Sequence, residues 1–129
     1  MASVLVTGGG GFIGTHLCRL LYNQGHNVIS LDVMHTDSHP WECITADIRD
    51  SLQFDAIDWI VHLAAQISVP RSIDNPDETL SINVDGTASI LSAAEVAGVK
   101  KIIFASSAAV YGDCEIIPIP ENAPLTPQS

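Results

Sequence analysis

Positive charge is what this sequence lacks first. Its 129 residues carry 5 Lys and Arg against 15 Asp and Glu, a formal net charge of −10. The few cations, Arg19, Arg49, Arg71, Lys100 and Lys101, form no stripe. A field of this sign repels a phosphate backbone and an anionic bilayer surface, so neither a nucleic-acid nor a membrane partner is expected. Cysteine is scarce as well: Cys18, Cys43 and Cys114 are odd in number, far apart and outside any C-x-x-C pair. That usage suits reduced thiols in a cytosolic protein and excludes a disulfide framework. The opening MASVLVTGGGG has no basic region, and its apolar run is too short for a secretory signal. No segment approaches the ~20 apolar residues of a membrane helix. The expectation is a soluble, cytoplasmic chain.

Apolar material is plentiful: 47% of the residues are hydrophobic, enough for the core of one domain over residues 1–129. Ser3-Val4-Leu5-Val6-Thr7 reads as a buried strand that ends in four glycines. Phe12 to Gln24 places Ile13, Leu17, Leu20 and Leu21 on one helical face, with Gly25 as its stop. Asn27 to Asp32 is a second strand, Cys43-Ile44-Thr45 a weaker third, and Asp58 to Ala65 a fourth that is apolar enough to be covered on both faces. Asn75-Pro76-Asp77-Glu78 has the form of a helix start, with Asn as N-cap, Pro at N1 and Glu at N3. That helix is expected to run to Ala97, with Gly98 as its stop. Lys101 to Ser107 is a fifth strand, and the prolines at 118, 120, 124 and 127 leave the rest as loop. Strands alternating with helices in this way imply parallel pairing, hence an α/β fold with a doubly wound sheet.

Chemistry enters at Thr7-Gly8-Gly9-Gly10-Gly11-Phe12-Ile13-Gly14, which contains T-G-x-x-G-x-x-G. Such a string is weak evidence alone. Here it follows a strand, opens a helix, and is followed 18 residues after Gly14 by Asp32, which closes the next strand. That is the context of a dinucleotide fingerprint. Gly8 permits the tight turn, Gly11 lets backbone N–H groups approach a pyrophosphate, and Gly14 lets the helix lie close. The N-terminus of the helix, at Phe12 and Ile13, then faces the phosphates with its partial positive charge. A carboxylate at Asp32 accepts from both hydroxyls of an adenosine ribose and repels a 2′-phosphate. The segment that follows, VMHTDSHPWECIT, holds no Arg or Lys. NAD is therefore expected over NADP.

Further strings extend the pattern: Ala46-Asp47-Ile48-Arg49-Asp50, His62-Leu63-Ala64-Ala65-Gln66, Asn83-Val84-Asp85-Gly86-Thr87 and Ser106-Ser107-Ala108-Ala109-Val110-Tyr111-Gly112. In this order and spacing, the chain resembles the extended short-chain dehydrogenase/reductases along its whole length, specifically the NAD-dependent epimerase/dehydratase family. The resemblance implies a Rossmann-type sheet and a set of roles. Asp47 would accept from the adenine amino group beside the Ile48 backbone. Leu63, Ala64 and Ala65 would line the cofactor cleft, and Asn83 would brace the long helix against that loop. Ser107 would hydrogen-bond the sugar hydroxyl being oxidised, with Ser106 and Tyr111 close to nicotinamide and sugar. Plainer readings stand beside these. Asp47 also fits a turn acid, Ala64-Ala65 tight packing, and Ser106 a satisfied strand-end hydroxyl.

Within the family, 4,6-dehydratases place acids directly after the key hydroxyl, whereas Ala108 and Ala109 follow Ser107 here. SSAAVYG and QISVPRS resemble UDP-sugar 4-epimerases, which oxidise and re-reduce C4 of a nucleotide sugar through a keto intermediate. Their base is a tyrosine with a lysine four residues on. Neither Tyr22, followed by His26, nor Tyr111, followed by Glu115, belongs to such a pair. The segment from Glu121 to Ser129 resembles the one that leads into the missing Tyr-x-x-x-Lys. The expectation is thus the front part of an epimerase, without its substrate domain and inactive alone. The alternatives are a noncatalytic NAD or adenine-nucleotide module, or one chain of a split enzyme. Self-association through the 76–97 helix, as a homodimer or larger, is expected as well. His35-Thr36-Asp37-Ser38-His39 has metal-ligand residue types but reads better as a loop beside the ribose, and no metal is expected.

Overall fold

The computed structural model describes residues 1–128. Five strands form one parallel sheet: β1 (Ser3–Thr7), β2 (Asn27–Asp32), β3 (Glu42–Thr45), β4 (Trp59–His62) and β5 (Lys101–Phe104). Their spatial order is β3-β2-β1-β4-β5. The chain therefore runs outward from β1 to one edge and returns to build the other, and the order reverses between β1 and β4. Ligands of open α/β sheets bind in the crevice at such a switch point, beyond the carboxyl ends of the strands.

Side-chain alternation along β1 assigns the two faces. Val4 and Val6 enter a cluster with Val28, Trp41, Val61 and Cys18, the last on α1 (Phe12–Asn23). Leu5, fully buried, points the other way, into a cluster with Leu31, Ile60, Ile90 and Ala94. Ile90 and Ala94 lie on α4 (Gly86–Val96). Both faces of the central strands are thus covered, as their nearly continuous apolar sequences require.

The first two strands occupy the residues expected, and the helices end at Gly25 and Gly98, both left-handed with φ of 84° and 67°. Several details differ from the expectation. β4 stops at His62, not at Ala65: Leu63 N still donates to Thr7 O (3.1 Å), but Ala64 N turns to the Thr7 hydroxyl (3.3 Å) and leaves the ladder. β5 pairs only with β4, so it cannot outlast that strand, and Ala105 N makes the last bond, to His62 O. Ser107 is consequently not in a strand but caps a short 3₁₀ helix over Ala108–Tyr111.

The long helix is also interrupted. After α2 (Val69–Asp74), which Ser68 caps and the sequence reading did not anticipate, come α3 (Pro76–Leu80), a π turn (Ser81–Asp85) and α4. Pro76 stands at N1 as expected, but the Asn75 side chain makes no cap. Glu78, expected to complete a capping box, is held by Arg71, whose Nε is 2.9 Å from Glu78 Oε2.

Candidate cofactor-binding site

Parallel strands bring their carboxyl ends to one side, and every residue singled out near a strand end falls there. Thr7 pairs in register with Leu31 and His62, and His62 with Phe104. The glycine loop after β1 is therefore flanked by Asp32 after β2 and by Leu63, Ala64 and Ala65 after β4. Ser106 and Ser107 follow β5 on the same side, and Asp47 and Ile48 follow β3.

The loop has no room for side chains. Gly8 has φ 71°, and a Cβ on it would stand 2.8 Å from Ala64 N. A Cβ on Gly9 would collide with the Ser30 hydroxyl, one on Gly10 with Met34 O, and one on Gly14 with Gly8 O. Gly14 thus lets α1 begin directly against the loop. Gly9 and Gly10, given no role from the sequence, are as constrained as the motif glycines. At Gly11 the surroundings open: among the described residues beyond its chain neighbours, a Cβ there would meet Gly8 O alone, at 3.3 Å. Gly11 is also the N-cap of α1 and offers no side chain to it, and no acid lies in the first turn. The first-turn amides at Phe12, Ile13 and Gly14 therefore remain free for a ligand or water, with the helix dipole behind them.

Asp32 closes the other side of the loop. Its Oδ2 accepts from Gly10 N (3.0 Å) and its Oδ1 from Met34 N (3.3 Å). This fixes the carboxylate beside the loop and leaves it further lone pairs. Asp47 accepts from Arg49 N and Nε, both at 2.9 Å, and from Arg49 Nη2 at 2.7 Å. The hydrogen-bonded Arg49 guanidinium holds the Asp47 carboxyl below its ordinary value. The Ile48 side chain is buried in the core, against the face of α4 that Gly86 leaves bare.

On the β4 side, Asn83 Oδ1 accepts from Gln66 N (2.8 Å) and Asn83 Nδ2 donates to Gln66 O (3.0 Å). This two-point clasp lies in the π turn, tying the helix to the loop that carries Ala64 and Ala65. Ser106 and Ser107 are exposed, and Ser107 Oγ accepts from Ala109 N (3.1 Å). Among the described residues nothing accepts the Ser107 proton. Tyr111 is half-buried, and its hydroxyl donates to Glu121 O (3.4 Å). The candidate histidines of the 35–39 loop go separate ways: His35 Nε2 meets Ser30 Oγ (2.8 Å), while His39 stacks on Trp41. Cys18, Cys43 and Cys114 are free thiols.

Sequence reasoning missed the polar line beneath this wall. Thr7 and His62 are buried, with Thr7 Oγ1 2.6 Å from His62 Nδ1. His62 Nε2 lies 3.0 Å from Thr87 Oγ1, which donates to Asn83 O (2.7 Å). A histidine inside an apolar strand was the available signal; only its tertiary partners distinguish it from packing.

The model of the NAD dependent epimerase/dehydratase family matches residues 4–129. The chain belongs to this family. It is 38% identical to UDP-glucose 4-epimerase of Lactobacillus helveticus, over 96% of this chain and 41% of the relative. Among solved structures, UDP-glucose-4-epimerase from Stenotrophomonas maltophila, with bound NAD and formylated UDP-arabinopyranose, superposes with a TM-score of 0.89 at 35% identity, covering 98% of this chain and 43% of that one. The NAD dependent NDP-hexosamine 5,6-dehydratase TunA superposes with a TM-score of 0.87 at 34% identity, covering 98% and 44%. The chain thus spans less than half the length of these relatives, and shape alone does not separate epimerisation from dehydration.

Proposed function

We propose that this chain is the NAD-binding part of a UDP-sugar 4-epimerase. The observation that carries the reading is the cradle formed by a side-chain-free loop, an uncapped helix start and the Asp32 carboxylate. The residues suit the dinucleotide: the open backbone at Gly11 and the free amides of Phe12, Ile13 and Gly14 for its phosphates, Asp32 for the adenosine ribose, and Asp47 and Ile48 toward the adenine. Leu63, Ala64, Ala65, Asn83 and Ser106 complete the cleft. When bound, NAD⁺ supplies a hydride acceptor and donor for C4 of the sugar.

The remaining work falls to the protein. Ser107, with its proton free of acceptors among the described residues and its oxygen fixed by Ala109 N, is placed to hydrogen-bond a sugar hydroxyl. Ala108 and Ala109 offer no acid for expelling water, which favours epimerisation over dehydration. Removal of the hydroxyl proton needs a base, and Tyr22 and Tyr111 both lack a lysine four residues on. Alone, the chain therefore binds cofactor without epimerising. Apolar side chains on the interrupted helix, Leu80, Val84 and Leu91, are exposed and support pairing of two copies, to be read by light scattering.

Calorimetric titration with NAD⁺ and with NADP⁺ tests the core of the reading. Heat with NAD⁺ and none with NADP⁺ at the same concentration is expected. Silence with NAD⁺ overturns it.

A further inference from the structure

The buried line Thr7–His62–Thr87–Asn83 has only one consistent assignment of protons. Thr87 carries a single hydroxyl hydrogen and gives it to Asn83 O, so toward His62 it can only accept. His62 Nε2 is therefore the protonated nitrogen, and Nδ1 is an acceptor for the Thr7 hydroxyl. With its proton spent on Nδ1, Thr7 Oγ1 has two lone pairs left. These receive Leu63 N (3.2 Å), whose single hydrogen is shared with Thr7 O (3.1 Å), and Ala64 N (3.3 Å). Every polar group in the line is satisfied, in a region where an unmade bond is costly.

Ala64 N is also the atom nearest the bare face of Gly8. The backbone that must lie flat against the glycine turn is thus held by a hydroxyl whose own orientation depends on the neutral imidazole. We propose that His62 is a positioning residue of the cleft: in its Nε2–H tautomer it directs the Thr7 hydroxyl so that the Leu63 and Ala64 amides are locked into the wall that Gly8 abuts. For cofactor binding, this rests on the reading of the cleft as an NAD site.

Protonation breaks the arrangement. An imidazolium presents a second N–H to Thr7 Oγ1, which already accepts two amides; one amide is displaced and the Thr7 proton loses its acceptor. Among the described residues, the groups around the ring give the cation no counter-charge: Thr7 comes from β1, Thr87 and Ile90 from α4, and Ile102 and Phe104 from β5. Burial accordingly lowers the His62 pKa from its ordinary 6.5. Leu63 and Ala64 should hold firm above the titration of His62 and loosen below it.

The test combines two measurements on the 129-residue chain, with the variants Thr87→Val and Thr87→Ser. Imidazole ¹⁵N shifts of the cofactor-free protein near neutral pH should show His62 protonated at Nε2. Amide exchange at Leu63 and Ala64 should accelerate about tenfold in Thr87→Val, relative to residues elsewhere in the sheet, and recover in Thr87→Ser, which keeps the hydroxyl. NAD⁺ affinity should fall in parallel, and in the parent chain it should weaken as pH drops through the His62 titration. An Nδ1–H tautomer, or unchanged Leu63 and Ala64 exchange in Thr87→Val, overturns the proposal. If the parent chain fails to bind NAD⁺ at any pH, the functional reading falls, while the tautomer and exchange results still decide the role of His62.

Discussion

Gly8 and Ala64 press backbone against backbone: a methyl group on the Gly8 Cα would stand 2.8 Å from Ala64 N and 2.9 Å from Leu63 C. Neither neighbour is the end of a flexible side chain, so nothing yields cheaply. Gly8 also has φ 71°, where an L side chain is strained. Gly8→Ala should therefore cost about 2 kcal/mol or more of stability, and should open the seam between the glycine loop and the β4 exit. Denaturant unfolding should show a lower midpoint, and NAD⁺ titration a loss of binding larger than stability alone explains. A variant with parent-like stability and affinity would mean the seam is not needed.

Asp32 serves the loop and, as proposed, the ribose. Asp32→Asn keeps an acceptor for Gly10 N but removes the negative charge. Stability should change little, NAD⁺ affinity should drop about tenfold, and discrimination against NADP⁺ should narrow. Competition between the two cofactors, measured by calorimetry in parent and variant, reads this directly. Unaltered selectivity would move the determinant elsewhere.

The buried His62 makes stability depend on pH in a definite direction. Its pKa in the folded chain lies below 6.5, so between that lower value and 6.5 the unfolded chain binds more protons at this site. The contribution is whole above 6.5 and is lost as pH falls through the depressed value. Urea midpoints measured from pH 7.5 downward should fall across this window, and more steeply in the parent than in His62→Gln. Equal slopes would count against a buried neutral imidazole.

Thiol reactivity should separate the cysteines. Burial raises the Cys18 pKa to about 11, and the residue has no exposed surface. In native protein at pH 8 a maleimide should label Cys43 and Cys114 and spare Cys18, which should react only on unfolding. Peptide mass mapping gives the answer residue by residue.

Local pattern was enough to find β1, β2 and the glycine stops, because those positions obey backbone rules that hold whatever surrounds them. It overestimated β4 and β5, whose lengths depend on neighbours: the Thr7 hydroxyl draws Ala64 out of the ladder, and β5 loses its partner where β4 ends. It also expected Asn75 to cap a helix with help from Glu78, without seeing that Arg71, seven residues before Glu78, would claim that carboxylate. The shape of the glycine loop beside Asp32 was legible because it is set by contiguous backbone. The Thr7–His62–Thr87 line was not, since its members are 55 and 25 residues apart and meet only once the sheet is assembled.

The π turn at Ser81–Asp85 has a consequence for how this chain can vary. It holds a surplus residue in a helix that could close into regular α geometry without it. Removing one residue there would cost little in backbone hydrogen bonding, yet it would rotate everything downstream by about 100° relative to everything upstream. Asn83 could no longer meet Gln66 while Thr87, Ile90 and Ala94, which share α4, kept their places against His62 and in the core. A length change that looks harmless to the helix would thus set the cleft and the core against each other.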